Sequence, residues 1–364
     1  MTHAAQKTST RHDVIVVGGR IAGALTAAHL SGRGMSVLVL ESTRFPSATL
    51  STHFFRGDGL VRSLDQLGLL EEVLSTGPPR LVREYFYVGG SEAAEENPPQ
   101  EPGDAGFCLS VRRHTLDDMI ARHVARLPGV DFRTGVKTTE VLTCEGVVTG
   151  VRDDRGEEHL APVTVGADGR RSSVARAVAA ADDVRHPAAR VMFYQYLTGW
   201  TGPGGGSVDA PEFSLSGNEM VYVFPSDGGT ACVALTIPLS EHDQARADPD
   251  SYFGSRLRQH RGLWPRFAAG APAGRLFSSP PEDSVVRQAA GPGWALVGDA
   301  GTHQDPWTGL GMDTAARQAR AFAEAVTTDA ADWNAAYAAA RDSVTLERFT
   351  STVTAAPDLR VLLG

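Results

Sequence analysis

The chain has 364 residues, with 43 acidic and 34 basic side chains and a formal net charge of −9 at pH 7. This length allows two domains, or one large domain with an insertion, and the acidic balance argues against a nucleic-acid or anionic-membrane partner. Three widely separated cysteines, Cys108, Cys144 and Cys232, argue against a disulfide framework and a CxxC metal site, so no metal is predicted.

The first informative stretch runs from Asp13 to Glu41 and has the order of a βαβ unit: an apolar run, a glycine-rich turn, an alanine-rich helix and a second apolar run. Gly18 permits the tight turn, Gly23 lets the helix pack close to the sheet, and the helix N-terminus offers free N–H groups to a pyrophosphate. Glu41 ends the second strand, where a carboxylate accepts hydrogen bonds from a ribose. The residues predicted to bind a dinucleotide here are Gly18, Gly19, Arg20, Ala22, Gly23 and Glu41.

Arg20 departs from the pattern, because glycine normally occupies the middle position of the GxGxxG spacing. Either its side chain turns outward, or its guanidinium adds positive charge near the diphosphate. The sequence leaves both alternatives open.

The following segment, from Phe45 to Val73, is predicted to pass from a loop rich in Ser and Thr, which carries His53, into an amphipathic helix. Its apolar face would consist of Leu60, Leu64, Leu67 and Leu70. Residues Ser91 to Gly106 are rich in Glu, Pro and Gly and predict an exposed loop that either covers a pocket or is plain surface.

A helix from Thr115 to Arg126 is predicted next, followed by several short strands that end at the turn Gly166-Ala167-Asp168-Gly169. From Arg190 to Ser284 the pattern changes to alternating strands, which indicates an inserted antiparallel sheet. Alternation places Tyr194 and Tyr196 on one face and Phe193 on the other. The candidate substrate contacts on these strands are Tyr194, Tyr196, Tyr222 and Phe224.

Near the end of the chain, Trp294 to Met312 reads WALVGDAGTHQDPWTGLGM. A strand delivers Asp299 to a turn, where its carboxylate can bind the hydroxyls of a ribityl chain. Gly309 and Gly311 then open a helix and allow close approach of the backbone to a flavin ring. Trp307 is a candidate pocket wall, although packing alone could explain it. An alanine-rich helical region from Asp313 to Arg348 should pack back on the nucleotide domain.

Three separated motifs resemble those of the class A flavoprotein monooxygenases, the p-hydroxybenzoate hydroxylase type. They are the N-terminal fingerprint, the Asp168-Gly169 turn, and Gly298-Asp299 with the following Asp305-Pro306. The stretch beginning at Arg113 is similar to the family turn whose arginine reaches the diphosphate. By resemblance, Leu310, Gly311 and Met312 offer main-chain contacts to the flavin, Asp168 belongs to the cofactor site, and Pro306 lies near the face where oxygen reacts.

The resemblance implies an α/β fold in which a Rossmann-like FAD-binding domain carries an inserted antiparallel substrate sheet. The expected boundaries are 1–85, 105–185 and 285–364 for the FAD-binding domain, 86–104 for the exposed loop, and 186–284 for the substrate domain. A single fingerprint argues against enzymes with a second Rossmann domain. With no signal peptide and no run long enough to span a bilayer, the expected location is the cytoplasm, without integral membrane association. Nothing in the sequence predicts an oligomeric state.

The implied activity is hydroxylation or epoxidation of a mostly apolar, aromatic or polycyclic molecule, with FAD as cofactor and NAD(P)H and O₂ as co-substrates, through a flavin C4a-hydroperoxide. His53 and His303 are candidate acid–base residues beside Pro306. Alternatives are a reductase like the geranylgeranyl reductases, a flavin-dependent halogenase and a non-catalytic flavin-binding protein. The tryptophan type of halogenase is disfavoured because the chain has only Lys7 and Lys137 as lysines and no WxWxIP segment.

Overall fold

A computed structural model of the protein describes residues 12–51, 53–88, 104–328 and 332–363, together with the backbone of 91–96. Its centre is a six-stranded sheet, here called the nucleotide sheet. Neighbouring strands in this sheet are parallel except at one edge, where Ala290–Gly291 and Trp294–Leu296 are antiparallel. Its strands, in spatial order, are Ala290–Gly291, Trp294–Leu296, Val163–Gly166, Val14–Val17, Val37–Glu41 and Val130–Thr134.

Successive residues of the central strands serve two different cores, as alternation in a covered sheet requires. Val14 and Val16 pack against helices, whereas Ile15 and Val17 pack toward the small sheets on the opposite face. The long helices associated with this sheet are Ile21–Ser31, Arg113–Val124, Gly311–Thr328 and Trp333–Ala355. The C-terminal helices therefore pack on the nucleotide domain, as the sequence predicted.

A second, larger sheet holds eight strands and contains the inserted segment of the chain; it is called the large sheet below. Most neighbours are antiparallel, but Glu212–Ser216 runs parallel to Arg83–Val88. Seven strands lie in the spatial order Ala271–Pro272, Arg190–Thr198, Thr230–Pro238, Glu219–Ser226, Glu212–Ser216, Arg83–Val88 and Ser91–Glu96, and Phe277–Ser278 also pairs with Arg190–Thr198.

The two faces of the large sheet have different partners. Phe193 packs toward short helices that cover the outer face, His242–Ala247, Pro249–Leu257 and Trp264–Ala269. Tyr194 and Tyr196 belong to a cluster with Phe54, which comes from the loop after the first βαβ unit. The inner face of the large sheet is thus turned toward the nucleotide domain, and the predicted alternation is confirmed.

The segment predicted as a loop from Ser91 instead begins as a strand, Ser91–Glu96, paired antiparallel with Arg83–Val88. This strand lies at the edge of the large sheet, where one row of backbone hydrogen bonds is sufficient and charged side chains are tolerated. The Glu-rich composition is thus compatible with an edge strand, and the prediction of a loop was wrong for Ser91–Glu96. The rest of that predicted loop, up to residue 103, lies outside the described residues.

The predicted amphipathic helix is also shorter than expected. A single π-helical turn, Gly57–Val61, leads into Arg62–Gln66, and a separate helix spans Leu70–Leu74. Gly68 has a φ of 69°, the left-handed conformation that glycine adopts easily, and helix Arg62–Gln66 ends just before it.

The remaining elements complete the packing around the two main sheets. No helix in the described ranges combines the length and hydrophobicity needed to cross a bilayer. The smaller sheets are Glu158–Leu160 with Val147–Asp153 and Thr138–Cys144, Asp182–His186 with Ser284–Arg287 and Thr302–His303, and Phe54–Phe55 with Leu109–Ser110; a short helix spans Ser173–Ala177.

Candidate active site

A cavity of about 740 Å³ extends from the carboxyl ends of the nucleotide strands to the inner face of the large sheet. At one end it is lined by Gly18 and Glu41, and at the other by Met192 and Tyr194. The predicted site residues that line it are Gly18, Arg20, Ala22, Glu41, Arg113, Asp168, Tyr194, Asp299, His303, Pro306, Gly309, Gly311 and Met312. The structure thus brings residues from all three sequence motifs into one space.

The fingerprint turn requires glycine at two positions. Gly18 has a φ of 100°, and a Cβ atom there would lie 2.4 Å from the carbonyl oxygen of Ala167. A Cβ on Gly23 would lie 1.8 Å from the carbonyl oxygen of Gly18. The strand, the turn and helix Ile21–Ser31 are therefore in close backbone contact, which leaves room for a diphosphate at the helix N-terminus.

Glu41 is held in place by backbone donors. Its carboxylate accepts hydrogen bonds from the N–H of Gly19 and the N–H of Thr43, both at 2.7 Å, and the residue is 5% exposed. Glu41 is therefore fixed at the end of its strand, on the cavity wall, where the sequence places a ribose ligand.

The guanidinium of Arg20 lines the cavity and donates to the carboxylate of Asp117 and to the hydroxyl oxygen of Ser47, the latter at 2.9 Å. Arg113 donates to the same carboxylate at 2.8 Å and 3.0 Å. The Arg20 side chain therefore does not turn outward, which was the first of the two alternatives. Two cations are instead held at the cavity by one buried acid.

Asp168 closes the turn after strand Val163–Gly166. One of its oxygens accepts hydrogen bonds from the N–H and hydroxyl of Ser173, at 2.6 Å and 2.7 Å. The other oxygen, Oδ1, is buried and has no partner within the described part of the chain. An unpaired acceptor beside the fingerprint turn fits a ligand that brings hydroxyl groups, as FAD does.

The Trp294–Met312 segment forms the opposite wall. The side chain of Asp299 is 43% exposed, and Gly309 has a φ of 69° after the single turn Pro306–Thr308. Helix Gly311–Thr328 begins directly afterwards. Its first free N–H groups and its positive dipole end lie at the cavity, where they suit the electron-rich pyrimidine edge of a reduced flavin.

His303 lies between two carboxylates. Its Nδ1 is 3.6 Å from Asp299 and its Nε2 is 3.8 Å from Glu282. Burial opposes protonation, but the interaction with the Asp299 carboxylate outweighs it, so the pKa of His303 is raised above its usual value. His303 can therefore carry a positive charge in the wall of the cavity.

His53 has the opposite character. It is 2% exposed, and burial, with a smaller effect from the charge of Arg113, holds its pKa well below the usual range. Its Nδ1 accepts a hydrogen bond from the N–H of Arg113 at 3.0 Å, which leaves the proton of the neutral ring on Nε2. Nε2 then donates to the hydroxyl of Tyr196. A φ of 64°, rare for a residue other than glycine, aims the ring this way.

Tyr194 is the predicted aromatic on the cavity wall, where its ring stacks on Phe277 at a centroid distance of 4.9 Å. The other four predicted substrate contacts lie in the adjoining aromatic cluster. Within it, the ring of Phe224 stacks on Phe54 at 4.6 Å, and the indole N–H of Trp307 donates to the carbonyl of Thr352 at 3.0 Å. The four predicted substrate contacts in this cluster are Tyr196, Tyr222, Phe224 and Trp307.

Sequence reasoning missed three polar residues of this region: Asp117, Arg190 and Gln304. Asp117 could have been found, because it follows Arg113 by four residues on a helix, the spacing of an ion pair. Gln304 stands between His303 and Asp305, but nothing in its pattern distinguishes it. Arg190 opens a strand far from the motifs, so only the fold brings it to the cavity.

A group with metal-ligand chemistry lies elsewhere, at Asp153, Glu157 and His159. Both oxygens of Asp153 are already engaged: one accepts from the N–H groups of Arg155 and Glu157, and the other pairs with Nε2 of His159 at 3.1 Å. These bonds account for the group as a stabilised turn.

A family model described as "FAD binding domain" matches residues 11–252. A digeranylgeranylglycerophospholipid reductase of Methanothermobacter thermautotrophicus is 30% identical over 337 residues, or 86% of this chain and 77% of the relative. Menaquinone reductase of Mycolicibacterium smegmatis is 28% identical, over 88% of this chain and 77% of the relative. Ubiquinone hydroxylase UbiL of Rhodospirillum rubrum is 26% identical, over 86% of this chain and 71% of the relative.

Solved structures share the fold. The myxobacterial chondrochloren halogenase CndH superposes with a TM-score of 0.82 at 22% identity, covering 93% of this chain and 80% of that protein. PqsL of Pseudomonas aeruginosa, in complex with 2-aminobenzoylacetate, superposes with a TM-score of 0.80 at 22% identity, covering 96% of this chain and 97% of PqsL. The predicted α/β fold with an inserted antiparallel sheet is therefore confirmed.

Proposed function

Since the chain belongs to the FAD-binding domain family of class A FAD-dependent monooxygenases, and is an FAD-dependent oxidoreductase, we propose that it inserts an oxygen atom into a small molecule. The substrate is mostly apolar and aromatic or polycyclic, and the product is a hydroxylated or epoxidised compound. NAD(P)H and O₂ are the proposed co-substrates. The domain boundaries given above remain a prediction.

One observation carries this proposal: the cavity is continuous from the dinucleotide fingerprint, past Asp299 and Gly309, to the inner face of the large sheet. A cofactor anchored at Gly18 can thus extend toward the same space that Met192 and Tyr194 line. Apolar and aromatic side chains on that wall suit an apolar, aromatic substrate.

The residues present fit FAD. Gly18, Gly19, Ala22 and Gly23 would admit the diphosphate to the helix N-terminus, and Glu41 would bind the adenosine ribose. Arg20 and Arg113 would supply positive charge near the phosphates, and Asp299 would bind the ribityl hydroxyls. Asp168, Gly309, Leu310, Gly311 and Met312 complete the proposed cofactor contacts. When bound, FAD supplies the transfer of reducing equivalents and the reaction with oxygen.

The protein's own contribution is to position the substrate, exclude water and control protons. Pro306, His303 and Tyr194 line the proposed substrate end of the cavity. His303, with its raised pKa, can hold a proton beside Asp299. His53 is neutral and can pass a proton only through Tyr196, which it contacts. We therefore assign His303 as the proton donor and His53 as the residue that orients Tyr196.

The deciding experiment is rapid mixing of the photoreduced, FAD-loaded protein with oxygenated buffer, recorded as absorbance spectra over time. A transient spectrum that is distinct from both reduced and oxidised flavin supports oxygen activation. The measurement should be repeated with candidate aromatic compounds, followed by mass spectrometry for a product heavier by one oxygen atom. Direct return to oxidised flavin under every condition, without such a product, would contradict the proposal.

A reductase acting on an unsaturated or quinoid compound is the second candidate, because two relatives that cover most of the chain are named as reductases. This function predicts that the reduced protein is reoxidised anaerobically by an alkene or quinone. A monooxygenase predicts that reoxidation coupled to product formation needs O₂.

Halogenation has less support. Lys137, which lines the cavity, lies at its nucleotide end, because the N–H of the preceding Val136 donates to the carbonyl of Glu41 at 3.0 Å. A lysine that activates hypohalous acid has to lie beside the substrate. A protein that only binds flavin would consume no NAD(P)H with any compound, so an NAD(P)H oxidation assay with the same compounds distinguishes it.

A further inference from the structure

Gln304 is a buried polar side chain in the wall of the cavity. The residue is 7% exposed and belongs to the cavity lining. Both its amide oxygen and its amide nitrogen are buried, and neither has a hydrogen-bond partner among the residues that the structure describes. Leaving a buried amide unpaired is unfavourable, so such a side chain calls for a ligand.

A second unpaired group lies in the same region. Tyr222 is 3% exposed, and its hydroxyl has no hydrogen-bond partner within the described ranges. It lies close enough to Arg190 and Asp305 for both charges to act on its phenol. Asp305 directly follows Gln304 and lines the same cavity. Gln304 and Tyr222 are thus two buried side chains with unpaired polar groups: the first precedes Asp305 in the sequence, and the second is close enough to interact with its charge.

Charged side chains of both signs lie near Gln304 and Tyr222. Arg190 is 3% exposed and lines the cavity, and among the described residues its guanidinium donates to neutral acceptors on Thr236, Asn218 and Ala356. Asp305 is 4% exposed and accepts a hydrogen bond from the N–H of Trp307 at 3.1 Å. With one buried cation and one buried carboxylate nearby, the region favours neither an anionic nor a cationic ligand.

We propose that Gln304, supported by Tyr222, recognises a neutral substrate group that both donates and accepts hydrogen bonds, so that the substrate is an aromatic carboxamide or lactam. A primary or cyclic amide presents a carbonyl oxygen to the Gln304 nitrogen and an N–H to the Gln304 oxygen, which pairs both orphaned atoms at once. The inference deepens the proposed function and rests on it, because the recognised group belongs to the molecule that the flavin site would oxidise.

The test measures binding to the oxidised FAD-loaded protein by calorimetry, with three compounds of matched shape: 1-naphthamide, 1-acetylnaphthalene and 1-naphthoate. The ketone replaces the amide nitrogen by a methyl group, and the carboxylate adds a charge. We expect 1-naphthamide to bind roughly tenfold more tightly than either other compound, because only the amide pairs both atoms of Gln304. No oxygen or reductant is involved, so this result is independent of whether the protein activates oxygen.

Gln304→Met keeps the length of the side chain and removes its amide, and is expected to bring the amide-to-ketone affinity ratio close to one. Tyr222→Phe removes only a hydroxyl and should lower the ratio at least about threefold. The matched control is Gln195→Met, on the same strand as Tyr194, where the amide nitrogen instead donates to the carbonyl of Gly274 at 3.2 Å. The control should leave the ratio unchanged.

The FAD content of each variant shows whether it is folded. If Gln304→Met fails to bind FAD, the proposal is judged by the amide-to-ketone affinity ratios of the wild type and of Tyr222→Phe. Equal binding of amide and ketone by the wild type overturns the proposal, as does tighter binding of 1-naphthoate. A ratio that survives in Gln304→Met, or no binding of any of the three compounds, also overturns it. The oxygen-mixing experiment could succeed in each of these cases, so the two proposals fail separately.

Discussion

Arg20 and Asp117 are 97 positions apart in the sequence, yet the Arg20 guanidinium lies 2.5 Å from the Asp117 carboxylate. The side chain of Asp117 is fully buried, whereas that of Arg20 is 24% exposed and faces the cavity. The same carboxylate also holds Arg113. An arginine that replaces the usual fingerprint glycine is thus fixed at the cavity, where we propose that FAD binds, by an acid from the helix Arg113–Val124.

The first prediction concerns this arginine. Replacing Arg20 by Gln should weaken FAD binding roughly tenfold, because it removes a positive charge that Asp117 orients toward the diphosphate. The loss should shrink as the salt concentration rises, since added ions screen the attraction between Arg20 and the diphosphate in the wild type. FAD dissociation constants from fluorescence titration of the apoprotein at several salt concentrations provide the measurement.

Arg33→Gln is the matched control. Arg33 follows the same helix, and its guanidinium is 3.8 Å from the exposed Glu324, away from the fingerprint turn. The Arg33→Gln substitution removes one positive charge from the same domain, and Arg33 does not line the cavity. Equal losses in Arg20→Gln and Arg33→Gln would mean that only the overall charge matters and that Arg20 does not contact the cofactor.

The second prediction separates the two candidate histidines by their protonation. Burial lowers the pKa of His53, while Asp299 raises that of His303 above its ordinary value, so neutralisation of His303 should occur at a higher pH than that of His53. NMR spectra of the histidine ring protons across about pH 5–9 can follow both, with His53→Gln and His303→Gln used for assignment. A His53 signal that titrates near its ordinary pKa would remove the assignment of the neutral ring as the donor to Tyr196.

A third prediction concerns Gly309, whose φ is 69°. A Cβ there would meet only Phe54, at an ordinary 3.6 Å, so Gly309→Ala tests the backbone conformation and not a clash. We expect a loss of about 1 kcal/mol in stability, and weaker FAD binding because the main chain that would contact the flavin shifts.

Gly254→Ala is the control for this substitution. Gly254 lies inside helix Pro249–Leu257 and nothing is within 4 Å of its added Cβ. It should stabilise the protein by up to about 1 kcal/mol, because alanine is the better helix former. The melting temperatures of the two variants should therefore change in opposite directions. The FAD affinity should fall only in Gly309→Ala. A stable Gly309→Ala with normal FAD binding would contradict the proposed contact.

The sequence predicted the parts of the fold that short-range patterns determine. Gly18 and Gly309 adopt positive φ values at turns whose position the neighbouring apolar runs reveal. The pairing of Arg20 with Asp117 was beyond sequence reasoning, because it depends on how two distant helices meet. His53 was a candidate by position, but its neutral state follows from burial, which only the packed structure shows. The edge strand Ser91–Glu96 carries no apolar pattern in its sequence, and the pairing with Arg83–Val88 is a backbone interaction that such a pattern does not reveal.

The last prediction concerns Asp313, in the first turn of the helix that begins at Gly311. Its carboxylate is fully buried and accepts hydrogen bonds from the N–H groups of Arg56 and Leu60, at 3.1 Å and 2.9 Å. Burial nevertheless raises its pKa from 3.8 to about 6. Asp313 thus ties the loop that carries His53 to the proposed flavin helix, at the cost of a buried charge.

An acid whose pKa is raised by folding destabilises the folded protein once it ionises, so its penalty grows as the pH rises from about 4 to about 6 and is then constant. A shift of about two units corresponds to about 3 kcal/mol. Asp313→Asn resembles the protonated form and escapes this penalty. We therefore expect the melting temperature of Asp313→Asn, relative to the wild type, to increase between about pH 4.5 and about pH 6.5 and to level off above that.

Asp65→Asn, on an exposed position of helix Arg62–Gln66, controls for the removal of a carboxylate in general and should show no such rise. Thermal unfolding of the FAD-loaded proteins in buffers of equal ionic strength gives the comparison. A difference between Asp313→Asn and wild type that is independent of pH would show that Asp313 is already ionised at low pH. Its hydrogen bonds to Arg56 and Leu60 would then outweigh burial, and the loop would be tied to the helix by a permanent charge.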